Sequence, residues 1–263
     1  MSQKYLLVAS KQDPAGINIT TQLSQYPGFY FHLVEDSILE ASNLSLDRIN
    51  QFDFIIFASR HESEKKEKTI SIHAPGNFKD AIYGGEAGKI CKSSALFNKH
   101  LFEILNKKIQ EHDLKNYKLT LEVTHHGPLI DKPCLFVEIG STETEWKDKR
   151  ASFIVARALQ EAIETFKPNP YREIAIGIGG PHYCPAFNKI QLESNVALSH
   201  IIPSYVQPIT EEMIKEAIAK TSEELDFVIL DWKGLSPADE KNKIINILNK
   251  NHIYYKKASE IKK

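Results

Sequence analysis

Cysteine is scarce in this chain of 263 residues, which has only Cys91, Cys134 and Cys184. An odd, widely spaced set makes no disulfide framework, so a reducing compartment and a cytoplasmic protein are expected. No apolar run approaches the ~20 residues that a membrane helix needs. The run that opens the chain, Tyr5 to Ala9, is too short and too lightly charged in front for a signal peptide. Net charge is missing as well. The formal value is -1, which excludes a whole-molecule basic field of the kind that wraps a nucleic acid. Local patches remain at Lys65, Lys66 and Lys68, at Lys147, Lys149 and Arg150, and along the tail from Lys256 to Lys263. Taken alone, each reads as a solvated face. No internal repeat or low-complexity stretch is present, and 42% hydrophobic with 25% charged residues is the composition of an ordinary globular protein. A chain of this length buries most of its apolar surface, so it needs no cross-link to fold.

Short apolar runs alternate with longer segments of helical period, the mark of an α/β protein with a mixed, largely parallel sheet flanked by helices in three layers. The runs are Tyr5 to Ala9, Phe29 to Val34, Phe54 to Ala58, Thr69 to Ile72, Leu119 to Val123, Leu135 to Ile139, Ile174 to Ile178 and Phe227 to Leu230. Phe54 to Phe57 and Phe227 to Leu230 are apolar at every position, as strands covered on both faces are. Helices are expected over Ser93 to His112, Trp146 to Thr165, Thr210 to Thr221 with Thr210 as N-cap, and after Ser236-Pro237. The charged segment His61 to Lys68 reads as an exposed connection. One domain over 1–263 is expected. The alternative boundary is Pro203 to Pro208, which would set off a C-terminal subdomain at 209–263.

Four segments depart from core composition, each at the expected end of a strand, where α/β proteins build their sites. His73 ends an apolar strand before the turn Pro75-Gly76. In Glu122 to Pro128, alternation puts His125 on one face and His126 on the other, so both reach one metal only if the strand ends between them. Gly127-Pro128 would end it. Glu138 interrupts an apolar strand, and a carboxylate there must be paired, hydrogen-bonded or metal-bound. The residues after it, Ser141 or Thr142 with Glu143 and Glu145, fit a helix cap and its dipole.

The fourth segment is Ile176 to Pro185. Pro185 biases Cys184 toward extended backbone, which would put His182 and Cys184 on one side, where His-x-Cys can pinch zinc. Gly179 and Gly180 allow a backbone to approach a phosphate or a terminal adenosine. No Lys and Ser or Thr follow, so this is no P-loop, and the third glycine of a dinucleotide fingerprint is absent. A competing reading makes Cys184 a nucleophile with a histidine as base.

Together, His73 to Asn77, Glu122 to Pro128, Glu138 to Trp146 and Gly179 to Phe187 resemble, in order, the archaeal and plant type of D-aminoacyl-tRNA deacylase. The resemblance implies a phosphorylase/hydrolase-like α/β fold, akin in shape to peptidyl-tRNA hydrolase and nucleoside phosphorylases. It also implies zinc and the removal of D-tyrosine and other D-amino acids from tRNA. Residue chemistry then suggests His125, His126, His182 and Cys184 as metal ligands, with His73, Glu138 and His126 as catalytic groups: His73 as a general acid or alternative ligand, and Glu138 to orient a ligand or accept a proton. Lys147, Lys149, Arg150, Gly179 and Gly180 are the candidates for contact with the tRNA 3′ acceptor end, and a monomer is expected. The competing functions are a peptidyl-tRNA hydrolase or zinc aminopeptidase-like hydrolase, and a non-catalytic binder of tRNA ends.

Overall fold

A computed structural model describes residues 3–262 of the chain. It opens with β1 (Tyr5–Ser10), every residue buried. Asp13 then accepts the amides of Ala15 and Gly16 at 2.9 and 3.0 Å and so caps α1 (Pro14–Leu23), with Pro14 in its first turn. β2 (Tyr30–Val34) and the short α2 (Leu46–Ile49) lead to β3 (Phe54–Glu62). That strand runs through His61, so the expected exposed connection begins later than the charges suggest. β4 (Thr69–His73), the hairpin of β5 (Gly76–Asn77) and β6 (Lys89–Ile90), and α3 (Ala95–Glu111) follow. Next come β7 (Lys118–Leu121), the wholly buried β8 (Cys134–Ser141), α4 (Glu143–Trp146) and α5 (Lys149–Thr165). Glu145 reaches back to the Thr142 amide at 3.2 Å, as the cap reading requires. The last third holds β9 (Glu173–Ile178), α6 (Pro185–Glu193), β10 (Val196–Ile202), α7 (Glu211–Ala219), β11 (Phe227–Leu230), α8 (Ala238–Lys250) and β12 (Tyr255–Lys257).

The α/β class holds, but the strands form two main sheets where one was expected. The first has the order β2-β1-β3-β8-β4-β7, with β4 antiparallel to β8 and all other pairings parallel. The second, β10-β9-β11-β12, is parallel throughout. Residues beyond 209 therefore share a sheet with β9 and β10. β10 escapes a hydropathy reading because Ser199 and His200 interrupt it, although all seven of its residues are buried.

Alternation along the strands sorts two cores on each sheet. On the first sheet Leu7, Ile56, Leu135 and Val137 face α1, α3 and α5, while Leu6, Ile55, Phe57 and Phe136 face the connections that follow β2. On the second, Phe227 and Ile229 join the core of α3 and α5, and Val228 and Leu230 pack with Ile214 and Ile244 of α7 and α8. One continuous apolar cluster thus ties both sheets together. Among the described residues, no helix is long and apolar enough to cross a membrane.

Candidate active site

Strand register builds the floor. Parallel pairing sets Phe57 beside Phe136, Ser59 beside Glu138 and His61 beside Gly140. Antiparallel β4 adds His73 beside Phe136 and Ser71 beside Glu138. Cross-strand partners share a face, so these side chains stand together. Phe57 and Phe136 stack with centroids 4.7 Å apart, and His73 lies flat on Phe136 at 5.1 Å and 7°. Glycine at 140 is a requirement of close approach, because a Cβ there would meet the His61 Cβ at 2.8 Å.

The wall comes from the segment after β7. Its amides go to four different places: Glu122 to the Ile72 carbonyl, Val123 to His182, Thr124 to Ile201 and Gly127 to Tyr83, at 2.9–3.1 Å. The strand does end before the histidine pair. His126 adopts the left-handed region at φ 46°, a conformation that costs a side-chain-bearing residue about 1 kcal/mol. That turn lets two successive histidines face one centre, with rings 4.4 Å apart. His182, on the loop after β9, completes the ring of imidazoles 4.7 Å from His125.

Five histidines and two glutamates converge: His73, His125 and His126 form one group, His61, Glu122 and His182 a second, and His73, Glu122 and Glu138 a third. Within each group the possible ligand atoms lie within 4.8 Å of one another. The cluster opens into a cavity of about 490 Å³ lined also by Ser10, Asp13, Leu39, Arg60 and Tyr83. The opening lies at the carboxyl ends of β1, β2, β3 and β8.

The hydrogen bonds fix where the protons are. Nδ1 of His73, His125 and His126 sits 3.2, 2.8 and 2.7 Å from the carbonyls of Ala74, Val123 and Gly127. A carbonyl only accepts, so each Nδ1 carries a proton and each Nε2 points inward, a bare lone pair wherever the ring is neutral. His125 Nε2 faces Glu122 Oε2 at 3.5 Å, and His126 Nε2 faces Glu138 Oε1 at 3.9 Å. Burial, helped by the neighbouring histidines, pushes the His125 pKa well below its ordinary value and that of His126 down to about 4. Both rings are thus neutral near pH 7, and acceptor faces acceptor. His73 Nε2 and both Glu122 oxygens are buried without an aligned hydrogen-bond partner. A cation held by His73, His125 and His126 would turn these facing acceptors into ligands, so the donor set fits a metal ion.

The two carboxylates draw positive charge onto the other imidazoles. Burial alone would lower the pKa values of His61 and His73, but the carboxylates of Glu138 and Glu122 outweigh it and raise both. Burial would likewise raise the pKa of Glu138, yet His61 Nδ1 at 3.3 Å and the neighbouring His73 and His126 bring it below the usual carboxylate range. Glu122 moves the same way, through His182, His61 and His73. His61 Nδ1 lies 3.2 and 3.3 Å from Glu122 and Glu138, and its Nε2 meets the Tyr183 hydroxyl at 2.9 Å.

The structure brings together His73, His125, His126, Glu138 and His182. It does not bring in Cys184, which sits in the left-handed region at φ 45° and not extended. Its buried Sγ turns back to the carbonyls of Pro181 and His182, and burial pushes the thiol pKa well up, which suits neither a ligand nor a nucleophile. Gly179 and Gly180 turn the chain against Leu235 and Asp231 and lie outside the cavity lining. Lys147, Lys149 and Arg150 are exposed outside it too: Lys147 pairs with Glu143 at 2.5 Å and Arg150 donates to the His112 carbonyl. Sequence reasoning missed His61, Glu122 and Tyr183. The signal for Glu122 matched that for Glu138, a carboxylate following an apolar run.

Imidazoles and carboxylates buried under an open cavity, at the carboxyl ends of parallel strands, are the equipment of a hydrolase. The chain belongs to the D-aminoacyl-tRNA deacylase family, whose model matches residues 48–256. It is 35% identical to the D-aminoacyl-tRNA deacylase of Methanococcus vannielii over 90% of this chain and 93% of that one. With the enzyme of the same name from Methanocaldococcus jannaschii it shares 31% identity, over 97% and 100%. A crystal structure of a conserved protein of unknown function superposes with a TM-score of 0.89 at 28% identity, covering 98% of this chain and 96% of that one.

Proposed function

We propose that this protein hydrolyses the ester that joins a D-amino acid to the terminal ribose of tRNA, with zinc bound by His73, His125 and His126. The single observation that carries the zinc reading is the convergence of the three inward Nε2 atoms of His73, His125 and His126 beside buried carboxylates. Family membership supports the substrate. Zinc bound there would supply a polarised carbonyl and a water of lowered pKa. The protein's own groups do the rest. Glu138, kept ionised by His61, takes the proton of the attacking water as its oxygen bonds to the ester carbon. His182 lines the cavity with Nε2 3.2 Å from Glu122 and delivers a proton to the ribose oxygen as the C–O bond breaks. His61, between both carboxylates, returns the proton from Glu138 toward Glu122 and His182. The cavity is of a size to take a terminal adenosine and its amino acid, and exposed Tyr83 at its edge suits the adenine.

The test is cleavage of D-tyrosyl-tRNA beside L-tyrosyl-tRNA, with native and chelated protein. Rapid release of D-tyrosine, lost on chelation and restored by zinc while the circular dichroism stays unchanged, is expected. Full activity in demonstrably metal-free protein would overturn the metal reading. Inertness toward D-tyrosyl-tRNA would overturn the substrate reading and leave a binder of tRNA ends.

A further inference from the structure

A second cavity, of about 420 Å³, lies between α6, the loop after β11 and the segment after β12. We propose that it is a docking groove for the acceptor strand of tRNA, holding nucleotides that precede the terminal adenosine. This inference rests on the tRNA substrate proposed above. Nothing in the catalytic cluster uses these residues.

Topology places the groove. The order β10-β9-β11-β12 is that of flavodoxin-like sheets, and in such sheets ligands bind outside the carboxyl ends of the strands at the point where helices change face. That point here lies between β9, followed by α6 on one face, and β11, flanked by α7 and α8 on the other. Asp231, Trp232 and Lys233 leave the end of β11 and line the cavity, and Ala186, Lys189 and Glu193 line it from α6. The groove adjoins the active site along the chain: His182 lines the catalytic cavity, and Ala186 begins this one. Four residues span at most about 14 Å, within reach of two or three nucleotides of an extended strand.

Charge and shape select the occupant. Lys189, Lys233 and Lys262 line the groove, and the ammonium groups of Lys257 and Lys241 stand 4.6 and 4.8 Å from the Trp232 ring centre. The lining thus holds three lysines against the two acids Glu193 and Asp231, and two further lysines stand over its one aromatic side chain. Lysine around an aromatic ring is the pairing that tracks single-stranded nucleic acid, with phosphates on the ammonium groups and a base on the ring. Asp231, nearly buried beside Gly234 and Gly180, is positioned to accept a ribose hydroxyl. The lysine-rich tail seen in the sequence thereby gains a role, whereas the Lys147 patch has partners of its own.

The test uses the full-length protein and a fluorescent, uncharged acceptor minihelix, so it needs no catalysis. Lys189→Gln, Lys233→Gln and Lys257→Gln combined should weaken binding about 10- to 100-fold and flatten its salt dependence. Trp232→Leu should do so at unchanged salt slope. In turnover, the same variants should raise KM on D-tyrosyl minihelix and leave cleavage of D-tyrosyl-adenosine, which lacks the upstream nucleotides, unaltered. Unchanged minihelix binding would overturn the groove, as would equal loss on both substrates. Wild-type failure on both esters with intact, lysine-dependent minihelix binding would refute the proposed reaction and spare the groove.

Discussion

Acid should destabilise this fold through a histidine that lies outside the candidate site. His200 is fully buried in β10, where Thr124 Oγ1 meets its Nδ1 at 3.2 Å and its Nε2 meets the Lys220 carbonyl at 3.3 Å. Burial, with the Lys220 charge adding to it, brings its pKa from 6.5 down to about 4. The folded protein therefore stays unprotonated here while the unfolded chain takes up a proton below pH 6.5. Stability from this group is fully present above 6.5 and is lost as pH falls toward 4. At 1.36 kcal/mol per pKa unit the whole effect is about 3 kcal/mol, of which about 2 kcal/mol falls between pH 7 and pH 5. Urea unfolding of wild type and His200→Gln at both pH values, each without metal, isolates the contribution. The variant starts less stable but should lose about 2 kcal/mol less between them. Parallel losses in both proteins would refute the reasoning, since the other buried histidines are common to them.

Glu138→Gln should lower kcat at least ~100-fold in single-turnover assays on D-tyrosyl-tRNA, because an amide cannot take the water proton. Cys184→Ser should retain activity within a few-fold, and a trapped aminoacyl thioester on Cys184 would contradict its placement. Asp13→Ala should destabilise by about 2 kcal/mol in denaturant titration. It strands the amides of Ala15, Gly16 and Arg60 that the carboxylate now accepts.

What could be read in the sequence was what broke a local pattern. Glu138 stands in an apolar run and His125-His126 precede Gly-Pro, so each announced itself. His61 did not, because β3 carries its buried face three residues past Ala58, through Arg60 and into charged sequence. Only the pairing with β8 shows that His61 faces inward. Cys184 misled for a different reason. The two-residue spacing with His182 implies a shared side only on extended backbone, and the left-handed turn at Cys184 sends the thiol into the core. The split into two sheets was hidden because hydropathy reports burial and not pairing partners. β9 and β8 look alike in sequence, yet they lie in different sheets.

The candidate cluster straddles that split, which makes its two halves separable. His73, His125 and His126 hang on β4 and the segment after β7, whereas His182 comes from the second sheet's β9 loop. Phe187, fully buried, packs beneath that loop with its ring where a Cβ on Gly177 would stand 2.8 Å away. Phe187→Leu removes part of this support at a cost of about 1–2 kcal/mol, small enough to leave the protein folded. The His182 loop should then loosen while the imidazoles proposed to hold zinc keep their own carbonyl anchors. The expected outcome is zinc content close to wild type with kcat reduced about ten-fold, and most reduced for the poorest leaving groups, which depend most on a delivered proton. Zinc content falling in step with kcat would show that the metal site leans on the second sheet, and the division of labour between the two halves would be wrong.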